Sequence, residues 1–159
     1  MTYNRRLTTN KGFTLMEMLV AIGIMVASIT IVTLSFSKLN ANQALDKSAD
    51  LAVSVLNESR SLTLSAKNGY QYGVNLESDQ LVLFRGSSYS AIDSNNSITT
   101  LNALVGMRNI SLSGGGTNVI FKKLSGQTDQ SGTFEVYLKA STTNFRTIYI
   151  SGTGAIESN

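Results

Sequence analysis

The pattern of hydrophobic and polar residues begins with one long hydrophobic run. Residues 13–37 are almost entirely apolar, and Glu17 is the one charged side chain among these 25 residues. A helix of that length rises about 37 Å, enough to cross the roughly 30 Å hydrocarbon layer of a bilayer. The run therefore predicts a membrane-spanning helix. A carboxylate inside such a helix is costly, so we expect Glu17 to have a partner or a function.

Beyond residue 37 the helical pattern continues but becomes one-sided. At 100° per residue, apolar side chains share one arc and polar side chains the opposite arc, as in a helix packed on a domain. The next stop signal is Asn68-Gly69, so one helix over about residues 14–67 is predicted, with a break near residues 38–42 as the alternative. The predicted buried arc is Leu45, Leu51, Ala49, Ala52, Val53, Val55, Leu56 and Leu62, and the exposed arc is Asp46, Lys47, Asp50, Ser54, Asn57, Glu58, Ser61 and Ser65.

After Gly69 the pattern alternates with period two, which is typical of β-strands. Tyr70–Leu76 and Gln80–Arg85 flank the turn Glu77-Ser78-Asp79 and predict a hairpin, followed by a polar loop over Gly86–Ser97. A single helix followed by antiparallel strands predicts an α+β domain with the helix packed on the sheet. Further strands are expected at Ile98–Leu104, Arg108–Leu112, Val119–Leu124, Gly132–Lys139, Phe145–Ser151 and Ala155–Glu157, with turns at Gly114-Gly115-Gly116, Gly126–Gly132 and Ser141–Asn144.

Composition restricts the function. The chain has 13 Lys and Arg against 10 acidic residues, but Arg5, Arg6 and Lys11 precede the apolar run, so residues 13–159 are balanced. The basic excess is therefore no argument for a nucleic-acid partner. The absence of Cys and His excludes disulfides, thiol or imidazole catalysis and the usual zinc sites. No nucleophile has a suitable base nearby in the sequence, so we expect neither an enzyme nor a cofactor.

The stretch around the start of the apolar run carries a specific signal. A short basic leader ends in Lys11-Gly12, and Phe13-Thr14-Leu15-Met16-Glu17 opens the apolar helix. This arrangement resembles the type IV pilin family, which includes pilins and the pseudopilins of type II secretion and competence systems. The resemblance implies recognition of the leader through Lys11 and Gly12, cleavage after Gly12 by a prepilin peptidase and N-methylation of Phe13.

The same resemblance implies how the chain is divided and placed. Residues 1–12 are the cleaved leader, residues 13–37 the transmembrane and assembly half of the helix, and residues 38–159 an extracytoplasmic domain. The positive-inside rule puts the leader in the cytoplasm and the domain outside the cytoplasmic membrane. The implied partners are other pilin or pseudopilin subunits, membrane lipid, an assembly ATPase and a platform protein.

Glu17 is the residue to which the resemblance gives a role in assembly. The matching carboxylate in the family meets the N-terminal amine of a neighbouring subunit. A lone carboxylate in hydrocarbon is expensive, and pairing within the assembly would neutralise it. The alternative is that Glu17 caps the N-terminus of its own helix.

The second half of the chain carries a further resemblance. Phe121 to Gly126, the apolar strand Thr147–Ile150 ending in Gly152-Thr153-Gly154-Ala155-Ile156, and Leu56 to Ser61 in the helix are similar to GspH/FimT-type pseudopilins, although Ser59 stands where Ala is common. This implies a minor subunit of a type IV pilus or a type II secretion pseudopilus. The alternatives are a major pilin of an adhesive or motility pilus, a FimT-like DNA-uptake pilin, and a membrane-anchored β domain that never assembles.

Basic residues of the second half provide the one candidate nucleic-acid site. Lys122 and Lys123, with Lys139 and Arg146 on nearby strands, could form a small patch that binds DNA. The final residues, Ala155 to Asn159, are acidic, so a solvated face is favoured and nucleic acid is not an expected partner.

Two acidic stretches offer oxygen atoms to a cation. Asp93-Ser94-Asn95-Asn96 and Glu77-Ser78-Asp79 lack the spacing of a twelve-residue calcium loop and fit ordinary turns. No metal site is therefore predicted.

Overall fold

The first element is a single helix of 50 residues, α1 (Leu15–Leu64). The structure is a computed structural model that describes residues 12–159, without the side chains of residues 32–35 and 37. Arg5, Arg6 and Lys11 of the predicted leader lie outside the described residues. Gly23 is the one glycine of α1 and proline is absent, so no residue interrupts the helix. The alternative of two helices broken near residues 38–42 is wrong. The chain divides into two units, Met1–Leu39 and Asn40–Asn159.

The end of α1 lies slightly before the predicted stop. The helix ends at Leu64 and a 3₁₀ turn follows over Lys67–Gly69. Ala66, Asn68 and Gly69 have φ of 46°, 55° and 74°, so the chain leaves the helix through left-handed backbone. Asn and Gly accept that conformation readily, so the Asn68-Gly69 signal predicts the end of the helix to within a few residues.

The second part of α1 contributes one face to the core. Leu45, Ala52 and Leu56 are buried, and all eight residues of the predicted polar arc are exposed. Val53, predicted on the apolar face, is half-buried instead, as are Leu51 and Leu62. The polar side chains Ser48, Ser59 and Thr63 are also buried, which the polarity pattern did not predict.

The strands form two four-stranded antiparallel sheets in the described part of the chain, which confirms the α+β prediction. Side chains of both sheets and of α1 share one core, with Phe121, Phe134 and Ile148 fully buried. The first sheet has the order β3-β2-β1-β5 and the second β4-β6-β7-β8, where the strands are β1 (Tyr72–Leu76), β2 (Gln80–Arg85), β3 (Ser97–Thr100), β4 (Val105–Leu112), β5 (Asn118–Ile120), β6 (Gly132–Leu138), β7 (Ser141–Ile150) and β8 (Ile156–Ser158).

The predicted first hairpin is confirmed as β1 and β2, but β1 is buried on both faces rather than one. Gly73 has no side chain, and the Phe84 ring occupies the space where a Cβ would lie. Tyr89, from the loop after β2, covers Phe84 with its ring centroid 5.5 Å away. The loop therefore acts as a cover over the outer face of the first sheet.

Several strand boundaries differ from the prediction. β3 ends at Thr100 rather than Leu104, and β5 ends at Ile120, which leaves Leu124 in a loop. The predicted turn over residues 141–144 is wrong because β7 begins at Ser141. The register passes from Leu138↔Ser141 directly to Tyr137↔Phe145, so residues 142–144 form a bulge inside a hairpin instead of its turn.

Candidate functional site

The first half of α1 exposes its large apolar side chains all around the helix. Their exposed fractions range from 53% at Val20 to 81% at Leu15 over the described residues up to Ile31. An apolar surface of this extent marks a region that another apolar surface covers. Among the residues that the structure describes, no helix is both long enough and apolar enough to cross a membrane.

Thr14 caps the start of this helix beside Glu17. The backbone N–H of Glu17 donates to Thr14 Oγ1 at 3.2 Å, and that of Met18 donates to the Thr14 carbonyl at 3.1 Å. Thr and Glu three residues apart have the spacing of a capping box, and a carboxylate is favoured near the positive end of a helix. The local capping alternative for Glu17 is therefore geometrically available. Thr14 was not predicted as a site residue, although the Thr-x-x-Glu spacing could have identified it.

Glu17 is exposed on the apolar surface of the first unit. A shallow cleft of about 490 Å³ beside it is lined by Met16, Val20 and Ile24, among others. Gly12 and Phe13 precede α1, and Phe13 is 80% exposed. The predicted cleavage and assembly residues thus lie together at one end of the chain.

One arginine and two glycines from the segments that resemble GspH/FimT-type pseudopilins meet at the other end of α1. Arg60 Nε donates a hydrogen bond to the Gly126 carbonyl at 3.2 Å. A Cβ at Gly154 would overlap that same carbonyl oxygen and lie 2.9 Å from Arg60 Nε. Gly126 and Gly154 also have φ of 65° and 82°, which favour glycine. Glycine is therefore required at both positions by close packing and by backbone conformation.

Ser59 and Thr63 of α1 both bury a hydroxyl group, but only the Thr63 hydroxyl is hydrogen-bonded among the described residues. Thr63 Oγ1 accepts a hydrogen bond from the Tyr72 backbone N–H at 2.8 Å, which ties the end of α1 to β1. Ser59 is fully buried, and its Oγ has no hydrogen-bond partner among the described residues. Ser59 is also the position at which the sequence departs from the GspH/FimT-type pattern.

The predicted basic patch is not assembled. Lys122 pairs with Asp129 at 2.6 Å, and Lys123 Nζ donates to the Gly69 carbonyl before β1. Lys139 instead pairs with Asp79, which follows β1, at 3.3 Å. Lys123 therefore lies at the open end of the first hairpin, whereas Lys139 lies at its turn. Arg146 pairs with Asp46 of α1 at 2.7 Å.

The acidic stretches form turns. Asp93 Oδ1 accepts hydrogen bonds from the backbone N–H and side-chain amide of Asn95 at 2.9 and 2.7 Å, and these bonds lower the pKa of Asp93. Glu77 accepts hydrogen bonds from Gln80 and Tyr89. Within the described residues no three His, Cys, Asp or Glu side chains are grouped to hold a metal ion.

An ion pair that the sequence did not predict lies on the outer face of the second sheet. Arg108 Nε donates to Glu135 Oε2 at 2.8 Å across β4 and β6, and Arg108 Nη2 donates to the Thr142 carbonyl at 2.9 Å. The guanidinium lies 4.6 Å from the Tyr137 ring centroid. Hydrogen bonds from the Asn109 side chain and from Arg108 lower the pKa of Glu135. This group links three strands through the bulge of β7.

Comparison with known proteins gives one informative match. No protein-family model and no curated protein matches the chain. Among solved structures, the chain is similar to the crystal structure of the type IV minor pilin FimU of Pseudomonas aeruginosa PAO1, with a TM-score of 0.56 over 72% of this chain and 92% of that one, at 16% sequence identity. The chain has the pilin fold.

Within the pilin fold, the residues singled out by sequence occupy two places. Gly12, Phe13 and Glu17 lie at the start of α1, where the surface is apolar and exposed. Arg60 and the two glycines that contact it lie where α1 meets the strands. At 16% identity the similarity establishes the fold, and a fold alone does not determine a function.

Proposed function

We propose that the chain is a structural, non-catalytic subunit of a type IV pilus or of the related filament of a type II secretion system. The observation that carries this proposal is the exposed apolar surface of the first half of α1 on a chain with the pilin fold. Burying one Val, Leu, Ile or Met side chain stabilises by about 1.5–3 kcal/mol, so many such side chains together favour assembly strongly. Packing against the same helix of other subunits would bury them.

In this proposal a prepilin peptidase recognises Lys11 and Gly12, cleaves after Gly12, and leaves Phe13 as an N-methylated terminus. Before assembly, residues 13–37 lie among lipids of the cytoplasmic membrane, with the leader in the cytoplasm and residues 38–159 outside. An assembly ATPase and a platform protein then transfer the subunit into the filament. The exposure of Gly12 and Phe13 ahead of α1 supports access by a peptidase.

Glu17 gives the assembly step its electrostatic component. Cleavage after Gly12 creates a cationic amine on Phe13, and we propose that Glu17 of one subunit pairs with the amine of a neighbour. A carboxylate and an amine that are both removed from water stabilise each other, whereas either one alone is costly. The capping bond from Glu17 N–H to Thr14 leaves the carboxylate available for this pairing.

Copy number distinguishes a minor from a major subunit. The similar solved structure is of a minor pilin, which favours the minor role, and quantifying the chain against other subunits in purified filaments tests it. Because Lys122, Lys139 and Arg146 all have carboxylate partners, no nucleic-acid function is proposed.

Filaments sheared from the native host test the proposal. The chain is expected in the sheared fraction of wild-type cells and absent from that fraction after deletion of the assembly ATPase. Detection of the chain in cells but in no filament fraction of the wild type would reject the proposal.

A further inference from the structure

Strand β3 is an edge strand of the first sheet and pairs with β2 on one side. Antiparallel strands direct the backbone N–H and C=O groups of alternate residues toward the neighbouring strand. Leu101 N–H donates to the Asp79 carbonyl at 2.9 Å, and Thr99, two residues earlier, faces β2 in the same register. The backbone groups of Ile98 and Thr100 therefore point away from β2, toward the open edge.

These outward backbone groups are unpaired in the part of the chain that the structure describes. No described residue forms a hydrogen bond with the backbone of Ile98 or Thr100. The two residues present two N–H and two C=O groups roughly 7 Å apart, the spacing at which a further strand would pair. The Ile98 side chain is 61% exposed, although Val82 directly opposite it is buried. The buried row on this face of the sheet thus ends in an uncovered isoleucine.

The chain itself closes the edges formed by β4 and β5. Met107 N–H of β4 points outward and donates to the Ser78 carbonyl at 2.7 Å, and a register shift after Arg108 interrupts the strand. On β5, the outward Ile120 N–H donates to Gln130 Oε1 at 3.2 Å. A bulge or a capping group on an edge strand disfavours the addition of another strand.

The edge formed by β8 has open backbone groups but carries a charge. Asn159 N–H donates to the Thr147 carbonyl at 3.1 Å, so Ile156 and Ser158 point away from β7. Glu157 stands between them, and a charged side chain on an edge strand opposes pairing with another chain. β3 contains only Ser, Ile and Thr. Among the four edge strands of the described sheets, β3 is thus the one that combines fully open outward groups with the absence of charge.

We propose that β3 binds an extended segment of a different protein of the filament by strand addition. The segment accepts hydrogen bonds from the N–H groups of Ile98 and Thr100 and donates to their carbonyls. It places a β-branched or aromatic residue opposite Ile98, where cross-strand packing continues the buried row. The inference rests on the proposed function, because a minor subunit meets other kinds of subunit in a filament more often than its own copies.

Proline substitution at the open edge tests the contact. Thr100→Pro in the full-length chain removes one outward N–H and leaves the bonds to β2, and proline is tolerated at such edge positions. We expect Thr100→Pro to lower the fraction of the chain found in sheared filaments at least severalfold. Ser158→Pro removes an outward N–H from β8 and is the matched control, and Thr100→Val keeps the N–H. Both controls should stay near the wild-type level.

Photo-cross-linking in native filaments identifies the occupant. A photoreactive phenylalanine derivative replaces Ile98 in the full-length chain, and the cross-linked peptides are sequenced by mass spectrometry. We expect a cross-link from position 98 to one segment of a different filament protein. The same group in place of Ile92, which is 95% exposed, should not give that product.

Several results would overturn the inference while the proposed function stands. They are incorporation of Thr100→Pro at the wild-type level, an equal loss with Ser158→Pro, a cross-link from position 98 to a second copy of this chain, and incorporation of the photoreactive chain without any cross-link. If Thr100→Pro does not fold, as thermal unfolding will show, the cross-link decides. Absence of the wild-type chain from filaments would instead overturn the proposed function together with the inference.

Discussion

Arg60 of α1 and Gly126 of a distant loop are joined by a hydrogen bond of 3.2 Å from Nε to the carbonyl oxygen, although 66 residues separate them in sequence. Gly154 packs against the same pair. The contact joins the helix to the loop after β5 and the turn before β8. The three residues therefore fix how the two sheets meet the end of α1.

Gly154→Ala should destabilise the chain, whereas Gly152→Ala in the same turn should not. A Cβ at position 154 overlaps the Gly126 carbonyl and requires a positive φ, but at position 152 the nearest atom is 3.8 Å away. We expect a loss of more than about 2 kcal/mol in the free energy of unfolding for Gly154→Ala and a change within about 0.5 kcal/mol for Gly152→Ala. Urea denaturation followed by tyrosine circular dichroism measures both, and equal losses would argue against the overlap.

Ser59→Ala and Thr63→Val should change stability in opposite directions. Ser59 Oγ is buried without a described partner, so its removal should raise the free energy of unfolding by about 1 kcal/mol. Thr63→Val leaves the buried Tyr72 N–H without its acceptor, which costs about 1–3 kcal/mol. Thermal and urea unfolding of the two variants make the comparison. A destabilised Ser59→Ala would indicate a hydrogen bond that the structure does not contain.

Glu135 should make the stability depend on pH in acid. Its pKa in the folded chain is lowered by hydrogen bonds from Asn109 and Arg108, so the folded state favours the ionised form. The stabilisation is present above the usual glutamate pKa of about 4.3 and is lost as the pH falls through the lowered folded value. The difference in free energy of unfolding between wild type and Glu135→Gln should therefore shrink over that range.

Asn109→Gly provides the control for this pH dependence. It removes the side-chain hydrogen bond and suits the φ of 51° at that position, so it should shift the loss of stability toward higher pH. A difference between wild type and Glu135→Gln that stays constant from pH 6 to acid would contradict the assigned role of Glu135.

Glu17→Gln and Thr14→Ala separate the two roles available to Glu17. Gln keeps the capping-box spacing but lacks the charge, whereas Thr14→Ala removes the cap and keeps the charge. If pairing with a neighbour's amine drives assembly, Glu17→Gln should lower incorporation into sheared filaments about tenfold, which corresponds to about 1.4 kcal/mol. Thr14→Ala should stay within about twofold, with cleavage of both variants checked by mass. The reverse order would assign Glu17 to capping alone.

Periodicity predicted the helix and its buried face because each side chain's direction depends only on local backbone geometry. Leu45 and Leu56 are buried and the exposed arc from Asp46 to Ser65 is correct for that reason. The hairpin of β1 and β2 was likewise encoded in a short turn between two apolar runs. These features need no knowledge of distant partners.

The remaining features depend on contacts between distant residues. Residues 142–144 have turn-like composition, but pairing with β6 and the bond from Arg108 to Thr142 place them in a strand. Lys122 and Lys139 form no common patch because each pairs with a different carboxylate, Asp129 and Asp79, and neither pairing follows from periodicity. Periodicity also could not reveal that Thr63 is buried to bind Tyr72.

The mature N-terminus of the chain in filaments shows directly whether the chain is both cleaved after Gly12 and assembled. Filaments are sheared from the native host, and the N-terminal peptide of the chain is identified by mass spectrometry. We expect a peptide that begins at Phe13 and carries one methyl group, with Glu17 inside it. A chain that keeps residues 1–12 in filaments, or that is missing from filaments altogether, would rule out the proposed processing and assembly.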